Sequence, residues 1–238
     1  MGKFGLAKKL VVLILLLIVV LLIGFKISKS RTFQFFGGII RAVETDKKIV
    51  ALTFDDGPTK ENTDKVLEIL KDVDIKATFF VIGKDLEENM EEGKRIVAAG
   101  HELANHTYSH NRMVLKTPSF IKDEIEKTDE LIRQAGYKGE IQFRPPNGKK
   151  LIILPYYLKK TNRKTILWNL EPDSYPEIAT SSDKITSNIS QNIEPGSIIL
   201  LHVMYKSRIE SVDAIKKIVI DLKAKGYEFR TVSQLLKE

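Results

Sequence analysis

From Lys47 to the C-terminus the sequence alternates short apolar runs with helix-spaced apolar stripes, and this alternation constrains the fold more than any other feature. Ile49–Phe54 reads as a buried strand closed by Asp55-Asp56-Gly57-Pro58, and a helix with Val66, Ile69, Leu70 and Val73 on one face follows. Ala77–Ile82 is the next strand, followed by a helical stretch through Ile96 and Val97 to Gly100. Strand Glu102–Asn105 leads into His106, and Thr117-Pro118 predicts a helix start, Thr as N-cap and Pro in the first turn. Strands are further predicted at Ile141–Arg144, Thr165–Leu170, Ser197–His202 and Tyr227–Thr231, with helices at 151–160, 184–193 and around Val212–Leu222, and Ser233 as the cap of a last turn. About seven strand-then-helix units require a parallel sheet with covering helices, either open and doubly wound or closed into a barrel.

The N-terminus is built differently. Leu10 to Phe25 is an uncharged run of 16 residues, about 24 Å as a helix, with Lys9 and Lys26 placed to snorkel at its ends. No small-residue cleavage site follows it, so it reads as an uncleaved signal-anchor; a cleaved signal peptide and a buried core helix are the alternatives. Lys3, Lys8 and Lys9 favour a cytoplasmic N-terminus. The expected layout is 1–30 as basic tail plus transmembrane segment, 31–46 as a tether or an extension of the domain, and 47–238 as an extracytoplasmic domain that folds without residues 1–30. The net charge of +7 does not indicate a nucleic-acid partner, because residues 1–31 carry six basic residues and no acid, leaving 32 basic against 31 acidic residues elsewhere. With no cysteine, thiol nucleophiles and Cys-ligated metal sites are excluded, and any transition-metal site must draw on the four His with Asp and Glu.

The distinctive polar residues follow strand ends. Asp55 and Asp56 follow the first strand, His106 and His110 the third, Arg144 ends the fourth, Asp173 lies past the fifth and His202 ends the sixth. In parallel α/β architectures these ends share one face, where sites assemble. His106 and His110 are four apart, so one helical turn or a tight loop turns both to one point. Two His and a carboxylate make an open zinc set. Adjacent Asp55 and Asp56 diverge in an extended segment, so one can bind a metal while the other faces the attacking water as general base. Separately, an Asp-Asp-Gly-Pro turn and an H-x-x-x-H pair are usually structural; their convergence on one end of a sheet points to a site.

Thr53–Pro58 (TFDDGP), His106–His110 (HTYSH), Arg144–Gly148 (RPPNG) and Ile199–His202 (ILLH) together resemble the ordered motifs of the polysaccharide deacetylases with a NodB homology domain. Ala77–Gly83 and Gly100-His101-Glu102 are similar to framework segments of that family. The resemblance covers roughly 47–238. It implies a distorted, incomplete (β/α) barrel, TIM-like, with one divalent metal, zinc or a similar ion such as cobalt. The activity implied is hydrolysis of acetyl groups on polysaccharide, mostly N-acetyl on amino sugars and sometimes O-acetyl on xylan. Carried over by motif, Asp55 is the general base, Asp56, His106 and His110 are the metal ligands, Arg144 orients Asp55 and keeps it ionised, and His202 is the acid that protonates the leaving amine. Pro145, Pro146 and Asn147 border the substrate, the backbone N–H of Asn147 serving the oxyanion.

Two departures from the family pattern stand out. Asn147 replaces an aromatic residue, and the Asp-x-x-Asp-Trp motif is altered to Glu171-Pro172-Asp173-Ser174-Tyr175. Asp173 is then expected to partner His202 by a one-residue shift, and Tyr175 to offer a stacking face to sugar. His101 and Trp168 read as structural. Peptidoglycan beside the membrane is the expected substrate; an O-acetyl esterase and a non-catalytic glycan-binding relative are the competing readings, and a metallopeptidase lacks its H-E-x-x-H helix.

Overall fold

A computed structural model describes residues 3–238. Helix α1 (Lys3–Ser28) is followed by β1 (Ile39–Ile40), β2 (Ile49–Asp55), α2 (Thr63–Asp72), β3 (Thr78–Val81), α3 (Gly83–Glu88), α4 (Met90–Ala98) and β4 (Glu102–Asn105). Then come α5 (Pro118–Gln134), α6 (Ile153–Lys160), β5 (Thr165–Ile166), α7 (Ser182–Asn192), β6 (Ile198–His202), α8 (Ile209–Ala224), β7 (Glu228–Phe229) and α9 (Val232–Leu235). Every pairing between these strands is parallel, and the isolated bridge Ala42–Ser197 is antiparallel.

Strand β2 is buried along its whole length, as a parallel strand covered on both faces must be. One edge pairs with β6. The other is shared: the carbonyls of Lys48 and Val50 accept from Glu228 and Arg230 at β7, and the Asp56 N–H donates to Phe80 of β3. From β3 the sheet passes to β4 and, through the single bridges Asn105–Phe143 and Phe143–Thr165, to β5; Leu170–Ile199 returns it to β6. The result is a barrel with one well-formed side and one side held by isolated bridges.

Alternation along the strands sorts the core into two layers. Val50, Leu52 and Phe54 face the helices with Phe79, Val81, Ile199 and Leu201. Ile49 and Ala51 face the interior with Phe80, Ala104, Trp168, Ile198 and Leu200. By the same period Thr53, Asp55 and His202 belong to the interior layer, at the strands' carboxyl ends.

Three expectations change. Ile141–Arg144 is not a strand; Phe143 alone bridges, because Pro145 and Pro146 have no N–H to extend a ladder. The strand expected over Thr165–Leu170 stops at Ile166, and the Asn169 side chain takes over, donating to Ser197 Oγ (2.9 Å) and accepting from the Ile198 N–H (2.9 Å). The last turn is capped by Thr231 in a capping box with Gln234 rather than by Ser233, whose N–H donates to the buried Glu102 carboxylate at 3.1 Å. The Thr117 cap is present, its hydroxyl accepting from the Phe120 N–H.

Residues 31–46 run along the barrel. Arg31 pairs with Glu171 at 2.7 Å and stacks over Trp168, and Val43 donates to the Gly196 carbonyl at 2.9 Å. Gly196 has φ +77°, and a Cβ there would stand 1.8 Å from the Val43 carbonyl oxygen. Gly196→Ala is therefore expected to destabilise the fold by on the order of 3 kcal/mol, read from the urea midpoint of the full chain in detergent. An unchanged midpoint would mean that this segment is not held against β6.

Candidate active site

Asp55, the last residue of β2, lies in register with His202, the last of β6. Parallel partners point their side chains to the same face, so both enter the barrel mouth. Arg144 reaches them from below. It is fully buried, and its Nη1 donates to Asp55 Oδ1 (2.5 Å) and to Thr53 Oγ1 (2.9 Å). Nε donates to the Ile166 carbonyl (3.3 Å) and Nη2 to that of Leu167 (3.1 Å), while the guanidinium lies 3.9 Å from the Phe80 ring centroid. This fork is held on every side. Burial on its own would raise the Asp55 pKa, but the charges of Arg144, His106 and His202 and the Arg144 hydrogen bond outweigh it and keep the carboxyl below its ordinary value.

The second Asp has different surroundings. Asp56 adopts φ 75°, which turns it out of the strand. Its Oδ1 is buried without a hydrogen-bond partner and lies 3.4 Å from His110 Nε2. His106 and His110 sit on a tight loop rather than a helix, with Thr107 (φ 68°) and His110 (φ 56°) in the left-handed region. Positive φ at non-glycine residues costs on the order of 1–3 kcal/mol each and clusters at functional sites. Here Asp56, Thr107 and His110 all belong to the two segments that bring Asp56, His106 and His110 together.

One ligand atom from each of Asp56, His106 and His110 lies within 4.8 Å of the others. His106 Nδ1 is 2.8 Å from the Arg144 carbonyl, which fixes the proton on Nδ1 and leaves Nε2 with a free lone pair. A 3.4 Å gap between Asp56 and His110 suits two atoms each about 2 Å from one ion. The orphaned carboxylate oxygen and the fixed tautomer both fit a divalent metal. His106 Nε2 is also 3.6 Å from Asp55 Oδ2, so the Arg-held carboxylate borders the cluster.

His202 Nδ1 is 3.3 Å from Asp173 Oδ1, and the His202 N–H donates to Asp173 Oδ2 at 2.6 Å. Asp173 is buried and fixed in turn by Ser211 Oγ (3.0 Å) and by Arg208, which donates to its carbonyl (2.9 Å). Burial would lower the His202 pKa, but the Asp173 hydrogen bond and the charges of Asp173, Asp55 and Asp56 raise it to about 9.

Pro145 and Pro146 are buried beside Arg144, and Asn147 is exposed at φ 54°, its Oδ1 accepting from Arg112 Nε at 3.2 Å. Tyr175 does not join the cluster. It is 49% exposed and lines a separate groove with Arg31, Arg41, Asn188 and Asn192. The 3-10 turn Pro172–Ser174 directs Asp173 inward and leaves Tyr175 outside. Trp168 is core, its Nε1 donating to Glu171 at 2.7 Å, and His101 is buried with Nδ1 accepting from the Ala77 N–H. Sequence reasoning missed Thr53 and Asn105. Thr53 shares the face of Asp55 two residues on, a signal that strand periodicity carries. Asn105 accepts the Thr107 N–H at 2.8 Å and shapes the histidine loop.

The family model for polysaccharide deacetylase matches residues 42–166. The chain belongs to this family. A peptidoglycan-N-acetylglucosamine deacetylase of Bacillus cereus is 38% identical over 192 residues, spanning 80% of this chain and 69% of the relative. The crystal structure of the Bc1960 peptidoglycan N-acetylglucosamine deacetylase, bound to a naphthyl-substituted benzohydroxamate, superposes with a TM-score of 0.77 at 36% identity, covering 82% of this chain and 91% of that one. A CE4 family pseudoenzyme from Bacillus anthracis superposes with a TM-score of 0.72 at 29% identity, covering 83% and 68%. The barrel is thus the TIM-like barrel of this deacetylase family, and this member is a deacetylase-type hydrolase.

Proposed function

We propose that this family member removes N-acetyl groups from the amino sugars of peptidoglycan outside the membrane, with α1 as a single-pass anchor. The observation that carries the reading is the contrast between two adjacent carboxylates. Asp55 is held charged by Arg144, and Asp56 is left unpartnered against two histidines. We assign Asp56, His106 and His110 to a divalent metal, with zinc as the first choice for a ligand set of two imidazoles and a carboxylate. When bound, such an ion would acidify water and polarise the acetyl carbonyl.

Asp55 accepts the proton of the attacking water, which its low pKa and its fixed Oδ2 allow. His202, protonated at neutral pH, stands beside it on the paired strand and donates to the departing amine, which cannot leave as an anion. Asp173 holds that imidazolium. Asn147, on a left-handed backbone at the rim, presents its N–H to the developing oxyanion, and Pro145 and Pro146 keep the loop rigid.

The test is acetate release by the full chain from acetylated peptidoglycan, N-acetylglucosamine oligomers and acetylxylan, each with and without chelator. Chelator-sensitive release from the amino-sugar substrates is expected. Release from acetylxylan alone would overturn the substrate class, and no release from any would favour a glycan-binding relative, the reading that likeness to the pseudoenzyme brings forward.

The acid assignment has its own test. His202 must be protonated to act, so activity should fall as pH rises through about 9. In Asp173→Asn the hydrogen bond and charge are lost while burial stays, and the alkaline limb should move down toward the ordinary imidazole range. A pH–rate profile with an unmoved limb would show that the proton comes from another group.

A further inference from the structure

Resting on the reading of α1 as an anchor, we propose that the domain does not hang free on its helix but docks on the bilayer, inserting Phe35, Leu115 and Ile152 into the outer leaflet. Lys29, Lys116 and Lys149 then meet anionic headgroups.

Helix α1 has 26 residues, about 39 Å, longer than the apolar run alone. A hydrocarbon core of about 30 Å takes about 20 residues, which from Leu10 reaches Lys29. The domain meets the helix before that point. An apolar cleft lies between helix residues 20–28 and Phe35, Leu115, Leu151 and Ile152, and no acidic residue lines it. Residues 20–27 lie within the last ~15 Å of that span. Domain side chains at their level therefore lie within the outer leaflet whenever the helix crosses the membrane.

These side chains suit that environment. Leu115 is 87% exposed, and Phe33, Phe35 and Ile152 are about half exposed, an unusual grouping of large apolar residues on one face. The cations frame it. Lys29 and Lys149 lie 4.5 and 5.5 Å from the Phe25 ring centroid, and Lys116 lies 4.8 Å from that of Phe120. Apolar side chains at the headgroup boundary with lysines beside them are the pattern of an interfacial surface, which sinks about 5–10 Å. The junction is also fixed: the Lys150 N–H donates to the Ser28 carbonyl at 3.0 Å, and its buried side chain reaches the Ser30 carbonyl.

The chain has no cysteine, so single labels are clean. Full-length Leu115→Cys, Leu17→Cys and Ile220→Cys, each carrying an environment-sensitive fluorophore, would be reconstituted into phosphatidylcholine–phosphatidylglycerol vesicles with or without brominated acyl chains. Leu17 reports insertion of the helix, and Ile220, exposed on α8, reports a solvated surface. The expected result is quenching at position 115 comparable to that at 17, with none at 220. Quenching at 17 without quenching at 115 would overturn docking and leave the anchor intact. No quenching at either would overturn both. A label at 115 that is shielded from water yet untouched by brominated lipid would place a second copy on the patch and equally overturn the proposal.

Discussion

His106→Ala is expected to lose stoichiometric metal and acetate release together. Of the three assigned ligands His106 is the most deeply enclosed, and the Arg144 carbonyl fixes its tautomer. Loss of a ligand's hydrogen-bond partner alone typically costs ~10–100-fold in metal affinity, so removal of the ligand should cost more than about 100-fold. Metal content after dialysis, beside folding monitored by circular dichroism, checks this. Full occupancy in the variant would refute the assignment. Asp56→Asn should behave similarly with less effect on fold, because the Oδ1 it alters bonds to nothing else in the protein.

Arg144→Ala should be the most damaging change to fold and chemistry together. The guanidinium satisfies two carbonyls, a threonine and a carboxylate without any exposure to solvent. Removing it strands the Asp55 charge in the interior, and breaking a buried pair from one side costs about 3–5 kcal/mol. The pKa consequence has a definite sign. Without Arg144, burial dominates and the Asp55 pKa rises, so the base loses its charge at higher pH and the acidic limb of the rate profile moves up. Arg144→Lys tests the fork, since an ammonium cannot reproduce all four contacts. A variant that keeps its urea midpoint and an unmoved acidic limb would show that Asp55 does not depend on this pair.

Much of this arrangement could be read from the residues. The all-buried run Ile49–Asp55 declared a central parallel strand, and the period of two that hides Val50, Leu52 and Phe54 under helices aims Thr53 and Asp55 inward. What escaped was decided by neighbours distant in sequence. Ile39 and Ile40 become a strand only because Thr165 and Ile166 offer an edge. Ser233 is diverted from capping by Glu102, 131 residues away. At Tyr175 the turn at Pro172–Ser174 sets the ring outside the Asp56, His106 and His110 cluster and leaves it exposed, a placement that motif spacing does not carry. The patch around Leu115 was invisible because its members come from helix α1 and three loops that no periodicity links.

Under the proposed anchoring, Lys150 sets terms for any form of the protein released from the membrane. Its ammonium is fully enclosed, and burial, with the charges of Lys149 and Arg31, lowers its pKa to about 8. The Ser28 and Ser30 carbonyls receive its backbone and side-chain protons. A protease that cut at or before Ile27 would free a domain with both carbonyls in place. A cut after Ser30, the border that composition alone suggests, would remove both of these acceptors from Lys150. Under the same reading, a released domain that keeps both Lys150 contacts carries the stub of its own anchor, and the segment in which a cut preserves them ends at Ile27.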